Sequence, residues 1–237
     1  MPFLLLLLFS TALSIGVGSI VVLVRRARES RGSGKASPCD YERHCLFRRP
    51  NCWLAVRSRN PLAVQSALGL HNGKPCSWTD ALAGEEKLFI SPPVKGWIVV
   101  FGSGLPDPSD DVDACYRFLT HLSHRLGQVQ FFSANRVVHH HAWVKADGGK
   151  IVRAFAWAGV TLWQQGARTT AEKELGLRSF DYDEIPERAS FHQPDVLSLN
   201  TERVPMLAAR WSVDPGRLPE SSLQYESGIA GEPSRRF

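Results

Sequence analysis

An uncharged apolar run near the N-terminus constrains this chain more than any other feature: no charged side chain occurs from Pro2 to Val24. At a rise of about 1.5 Å per residue, a helix of this length covers about 35 Å, which exceeds the roughly 30 Å hydrocarbon core of a bilayer. Residues 1–24 are therefore predicted to form a transmembrane anchor. The alternative is a cleaved export signal, because Gly16 and Gly18 fit a small-residue cleavage site, although the apolar run continues beyond them.

A basic cluster follows this run directly and predicts the orientation of the chain. Basic residues beside a membrane span are retained on the cytoplasmic side, so the protein is predicted to be single-pass with its globular part facing the cytoplasm. Signal cleavage would instead export it. Each cation near an anionic leaflet contributes about 1 kcal/mol to lipid binding. The lipid bilayer is thus a predicted partner, contacted through residues 2–24 and the flank Arg25, Arg26, Arg28, Arg31 and Lys35.

The net charge of +5 is concentrated in this juxtamembrane region. Residues 25–60 contain ten Lys or Arg and three Asp or Glu, which leaves the rest of the chain at −2. The basicity is therefore not a property of the folded part. Since no zinc-finger, helix-turn-helix or RNA-binding pattern accompanies it, no nucleic-acid partner is expected.

Composition shifts along the chain predict four segments. Gly32, Ser33 and Gly34 lie among charged residues and indicate a flexible tether, whereas the C-terminal end is polar and rich in Gly, Pro and Ser. The predicted organisation is a transmembrane anchor (1–24), a basic flexible linker (25–50), a globular domain (51–215) and a disordered tail (216–237).

Hydrophobic patterning predicts the fold class of the domain. Apolar residues at steps of three and four indicate a helix over 110–126, and five β-rich stretches indicate strands. The predicted fold is α+β, with a mixed or antiparallel sheet of about 4–5 strands and helices packed on one face, preceded by one N-terminal transmembrane helix. The predicted strands are 87–90, 96–102, 128–133, 139–145 and 150–157.

Three consecutive histidines, residues 139–141, raise the hypothesis of a metal site. In a strand His139 and His141 would share one face, so at most two could bind one ion, and a further ligand would have to come from elsewhere. Together with Asp110 and Asp111 they suggest a metal-dependent hydrolase as an alternative function. The competing interpretation is that Ser109 caps the helix that follows and that the acids lie at the positive end of that helix. Enzymatic activity stays open at this point, and no cofactor is predicted.

An aromatic and basic set around the last predicted strand suggests a binding surface. By strand alternation Arg153, Phe155 and Trp157 lie on one face, and Trp143 belongs to the neighbouring strand. Aromatic and Arg side chains are frequent at the energetic centres of protein interfaces. The competing interpretation is a second packed layer. The leading hypothesis is therefore a membrane-anchored cytoplasmic binding or accessory domain that engages a protein partner.

The cysteines point to no disulfide framework or zinc site. There are five of them, at irregular spacings and without a C-x-x-C pair. Cys115 lies on the apolar stripe of the predicted helix, where a buried thiol is unreactive. In a cytoplasmic domain all five are expected to be free thiols, whereas export would make disulfides among the first three plausible.

Overall fold

The computed structural model describes residues 50–83, 87–184, 195–218 and 227–234. Nine strands and five α-helices occur in these residues. The strands are β1 (Cys52–Val56), β2 (Leu70–Cys76), β3 (Leu88–Ile90), β4 (Ile98–Phe101), β5 (Val129–Asn135), β6 (His140–Asp147), β7 (Lys150–Trp157), β8 (Thr161–Gln165) and β9 (Gly228–Pro233). The helices are α1 (Pro61–Leu68), α2 (Trp78–Leu82), α3 (Val112–Leu126), α4 (Thr170–Glu174) and α5 (Val196–Trp211).

All nine strands join one sheet in the order β2-β9-β3-β4-β1-β5-β6-β7-β8, and every pairing is antiparallel. The predicted fold class is wrong about the sheet, which has nine strands rather than 4–5. It is also wrong about the helices, which cover both faces of the sheet rather than one.

The two faces of the sheet carry different side chains because neighbouring strand residues point to opposite sides. One face is mainly aliphatic, with Leu54 and Val144 as examples, and it packs against α1 and α3. The other face is rich in aromatic side chains such as Trp53 and Phe132, and it packs against α2 and α5. A sheet buried on both sides explains why its central strands read as almost continuous apolar runs.

Local sequence signals set the ends of the helices on the aliphatic face. The side chain of Asn60 accepts hydrogen bonds from the first backbone N–H groups of α1, and Pro61 occupies its first position. Gly69 ends α1 with a φ of 58°, which glycine adopts without strain. Asp111 caps α3 by accepting from the N–H of Ala114 at 2.9 Å.

The C-terminal segment differs from the expected disordered tail, 216–237, because it contains β9. This strand lies between β2 and β3 in the sheet. A Cβ at Gly228 would lie 2.4 Å from the ring of Phe89, and a Cβ at Gly231 would lie 2.5 Å from the carbonyl oxygen of His71. The glycines that made this segment look unstructured are therefore required for its close packing.

The predicted transmembrane helix, 1–24, and nearly all of the linker, 25–50, lie outside the described residues. Within the described part of the chain, none of the helices has the length and apolar character needed to cross a bilayer.

Candidate functional site

The four side chains predicted as a binding surface are internal. The exposed fraction is zero for Trp143 and Phe155, 1% for Arg153 and 4% for Trp157. The rings of Trp143 and Phe155 lie 4.9 Å apart, and Trp157 packs on Phe180. These residues form a packed layer beneath the segment that leads to α5, so they do not present an exposed surface to a partner.

Arg153 forms a buried ion pair with Glu172. Its Nη2 atom lies 2.8 Å from Glu172 Oε1, and the same carboxylate accepts from Trp143 Nε1 at 2.7 Å and from the backbone N–H of Thr169 at 2.7 Å. Burial alone would raise the pKa of Glu172, but the hydrogen bonds from Arg153 and Thr169 outweigh it and hold the pKa below its usual value. This cluster fixes α4 to β7 and is a structural network.

A β-bulge explains why simple alternation failed in β7. Arg153 pairs with Lys145 whereas Ile151 pairs with Ala146, so one extra residue, Val152, is inserted between them. Alternation places Ile151 on the same face as Arg153. In the structure Ile151 joins the aliphatic core, and the side chain of Val152 is exposed.

The backbone places His139 and His141 differently from the expectation of one continuous strand. His139 lies in the turn before β6 with a φ of 55°, and the strand begins at His140. His141 is buried and stacks on Trp143 with ring centroids 5.8 Å apart. The two imidazoles therefore do not belong to a single strand, although both contact α5: His139 Nδ1 lies 3.3 Å from Ser198 Oγ, and His141 Nδ1 lies 3.2 Å from Thr201 Oγ1.

Hydrogen bonds hold His141 in one neutral tautomer. Asn200 Nδ2 donates to His141 Nε2 at 3.2 Å, and His141 Nδ1 donates to the carbonyl oxygen of His139 at 2.9 Å. Reversing the Asn200 amide would break two hydrogen bonds to the backbone of Arg178, because Nδ2 donates to the Arg178 carbonyl oxygen and Oδ1 accepts from the Arg178 N–H. A proton on Nε2 would face the Asn200 donor, so the network assigns the ring proton to Nδ1.

The environment of His141 disfavours its charged form. Burial lowers the pKa of His141 to about 4, the hydrogen bond to the His139 carbonyl opposes this shift, and the neighbouring imidazoles of His140 and His139 add to it. The imidazole is therefore neutral near pH 7.

The residues proposed for a metal-dependent hydrolase do not form a ligand cluster. Asp111 is the cap of α3, and the backbone N–H groups of Asp110 and Asp111 both donate to the carbonyl oxygen of Asp107. In the part of the chain that the structure describes, no group of three or more His, Cys, Asp or Glu side chains could hold a metal ion.

A Ser-His contact that the sequence did not suggest occurs at the start of α5. Ser198 Oγ lies 3.3 Å from His139 Nδ1 and donates to Asp195 Oδ2 at 2.8 Å. Burial acts to raise the pKa of Asp195, but the hydrogen bonds from Ser198 and from the N–H groups of Leu197 and Ser198 lower it overall. Because the hydroxyl proton of Ser198 is held by Asp195, His139 is not placed to remove it as a general base.

Two of the described thiols are also unsuited to catalysis. Burial raises the pKa of Cys115 and of Cys52, and the carboxylate of Asp107 raises both further. A thiol must lose its proton to act as a nucleophile, so these two cysteines are unreactive at neutral pH.

An exposed pocket between α1 and α3 is a candidate binding feature that sequence reasoning missed. Its volume is about 220 Å³. Ala114, Phe118 and Leu122 lie at steps of four along α3, and Ala67 of α1 completes this apolar floor. The spacing is visible in the sequence as a second stripe beside the core stripe of α3, but only the packing of α1 turns it into a pocket.

The rim of this pocket is positively charged. Arg117 and His121 line it and are exposed. One helical turn further on, Arg125 Nη1 donates to the carbonyl oxygens of Ser66 and Ala67 at 3.4 and 3.2 Å, which ties the end of α1 to α3. The acidic residue of α3, Asp113, lies in the first turn. The pocket thus combines an apolar floor with a cationic edge.

Comparisons with known proteins give no family or fold assignment, because no family model, curated protein or solved structure matches this chain.

Proposed function

We propose that this chain is a non-catalytic, membrane-attached domain that binds a protein partner in the pocket between α1 and α3. The observation that carries the proposal is the pocket itself, in which Ala67, Ala114, Phe118 and Leu122 form an apolar floor beside the exposed Arg117 and His121. An apolar anchor site next to an Arg is the arrangement that concentrates binding energy in protein interfaces.

The size and charge of the pocket define the partner chemically. Its volume of about 220 Å³ is below the range of about 300–1,000 Å³ that is usual for small-molecule sites. It suits one large apolar side chain of a partner. The guanidinium of Arg117 and the imidazole of His121 on the rim can both donate hydrogen bonds, which suits a carboxylate beside that side chain. We therefore propose an acidic segment with an apolar anchor residue as the occupant.

A binding role is favoured over catalysis because the candidate catalytic groups serve the fold. His141 is a neutral buried imidazole, Asp111 caps a helix and Ser198 donates to Asp195. No observation on the described residues favours the alternative of a metal-dependent hydrolase that uses His139 and His141 with Asp110 and Asp111.

Membrane attachment is the second part of the proposal, and its support comes from the sequence. The uncharged run 2–24 has the length and composition to enter a bilayer, and the basic flank that follows suits anionic headgroups. In this arrangement the described domain lies on the cytoplasmic side.

Site-specific photo-crosslinking in cells tests the partner pocket. A photoreactive phenylalanine analogue at position 121 of the full chain should give a discrete protein adduct. Ala114→Trp, which fills the pocket from a partly exposed position, should reduce that adduct at least fivefold, and Arg117→Glu should also reduce it. The matched control carries the analogue at exposed position 150, the first residue of β7.

The control decides the interpretation. If position 150 gives the same adduct as position 121, or if Ala114→Trp leaves the yield unchanged while circular dichroism shows an intact fold, the pocket is not the binding site and the proposal fails.

A further inference from the structure

We propose that the end of the sheet which carries Val137, Val138 and Val160 rests on the surface of the lipid bilayer. The inference relies on the membrane attachment in the proposed function and adds the orientation of the domain. The occupant to which we commit is a phospholipid surface, and a protein bound at this end would contradict the proposal.

Two turns bring the three valines to the same end of the sheet. Residues 136–139 connect β5 to β6, where Asn135 pairs with His140. Residues 158–160 connect β7 to β8, and Trp157, which precedes this turn, pairs with His141. The two turns are thus two strand spacings apart, or about 10 Å.

The apolar side chains of these turns are exposed to solvent. The exposed fraction is 89% for Val137, 50% for Val138 and 56% for Val160. Arg136 is exposed beside them. Single exposed apolar residues are common, but two adjacent turns with apolar tips and a flanking cation form a surface suited to the interface of a membrane.

The chain leaves the described domain toward its N-terminus at this same end. The backbone N–H of Ala134, just before the first turn, donates to the carbonyl oxygen of Asn51 at 2.8 Å. The linker predicted over 25–50 therefore joins the domain beside the valine-bearing turns, and residues 2–24 lie beyond it.

The linker alone does not fix the orientation. A flexible chain of its length has a root-mean-square span of about 28 Å, which is close to the roughly 26 Å length of an eight-residue strand. The tether keeps the domain near the membrane and so raises the effective concentration of weak contacts. The exposed valines then select which end makes those contacts.

Two carboxylates near this end of the sheet accept hydrogen bonds from serines of the fold, which fixes their positions but does not remove their charge. Asp107 accepts from Ser133 Oγ at 3.0 Å and from Ser109, and Asp195 accepts from Ser198 Oγ at 2.8 Å. The arrangement leaves the guanidinium of Arg136 available to phosphate groups of the headgroups.

Fluorescence quenching by brominated lipids tests the orientation. The full chain is reconstituted into vesicles of three parts phosphatidylcholine and one part phosphatidylglycerol, with a fluorescent amino acid at position 138, 160 or 152. Val152 is the matched control because it is 51% exposed and lies near the other end of β7, beside the turn to β6. We expect at least twofold quenching and a blue shift at 138 and 160, and neither at 152.

The outcomes separate this inference from the proposed function. If the protein fails to float with the vesicles, membrane attachment itself fails, and the inference fails with it. If the protein floats but positions 138 and 160 behave like 152, the inference is overturned while membrane attachment stands. Loss of quenching at 160 in the Val137→Ser/Val138→Ser variant would support a joint contact, and unchanged quenching there would contradict it.

Discussion

Acid should destabilise this fold through His141, because the folded protein holds that imidazole neutral. In the unfolded chain the imidazole binds a proton as the pH falls below its ordinary pKa of about 6.5. In the folded protein the pKa is lowered to about 4, chiefly by burial. Between these values the unfolded state binds more protons, so stability is highest above pH 6.5 and declines as the pH falls toward 4.

The size of the effect follows from the two pKa values. One pKa unit corresponds to about 1.4 kcal/mol, so the change from 6.5 to about 4 amounts to about 3 kcal/mol of unfolding free energy. Side chains that influence the titration are His139 and His140, which lower the pKa further, and Asp195, which raises it. The stability contributed by the lowered pKa of His141 should be lost completely near pH 4, since His141 is protonated in both the folded and the unfolded state below that value.

Urea unfolding of the full chain in mild detergent, followed by tryptophan fluorescence, measures the effect between pH 7 and pH 4. The variant His141→Gln keeps a hydrogen-bonding side chain and cannot titrate. Its free energy of unfolding should therefore decline by about 3 kcal/mol less between pH 7 and pH 4 than that of the unsubstituted protein. His140→Gln is the control, because His140 lies partly exposed on the same strand and lowers the pKa of His141 less than burial does, so this variant should keep most of the pH dependence of the unsubstituted protein.

Comparison of the two variants tests whether His141 is the source of the acid sensitivity. If His141→Gln and the unsubstituted protein lose stability in parallel as the pH falls, the lowered pKa of His141 does not contribute to acid sensitivity. A larger effect of His140→Gln than of His141→Gln would also refute it.

Three further substitutions have expected effects on the free energy of unfolding, each measurable by urea titration. Arg153→Met leaves Glu172 buried without its partner and should cost about 3–5 kcal/mol, while Arg153→Met/Glu172→Gln should recover part of this loss; equal losses in both would contradict the ion-pair argument. Gly102→Ala should destabilise the fold by more than about 1 kcal/mol, because φ is 139° and the Cβ would lie 2.2 Å from the Lys87 carbonyl oxygen. An unchanged urea midpoint would contradict this expectation. Leu119→Ala in the aliphatic core should cost about 2–5 kcal/mol, and a cost below about 1 kcal/mol would show that α3 packs less tightly than described.

The sequence is sufficient to predict an element when that element depends on residues close together in the chain. The helix after Asn60 and Pro61 and its end at Gly69 follow from capping chemistry. The 15-residue amphipathic helix α3 follows from the spacing of its apolar residues. The turn between β6 and β7 follows from two glycines at 148 and 149, both with positive φ.

Strands that depend on distant partners were missed. β2 is short of apolar residues because five of its seven positions are exposed at the edge of the sheet. β9 contains two glycines and a proline in six residues, so its intrinsic β-propensity is low. Its place between β2 and β3 depends on contacts such as that of Gly228 with Phe89, which no local pattern encodes.

At the candidate site, too, the local sequence pattern and the tertiary packing determined different features. Alternation identified Arg153 and Phe155 as neighbours on one face, but it could not indicate that the segment around α4 buries them. The spacing of Ala114 and Phe118 is local, whereas the pocket requires Ala67 from another helix. A short-range pattern specifies which residues share a face, and the packing of other elements specifies whether that face is covered.

The sequence by itself determined the uncharged apolar run, its basic flank and the capped helices, because each of these depends on residues close together in the chain. The tertiary structure decided the size of the sheet, the burial of Arg153 with Glu172, the neutral state of His141 and the position of the exposed valines at one end. These features arise from contacts between residues far apart in the sequence, whose energies depend on burial and on partners that only the folded chain brings together.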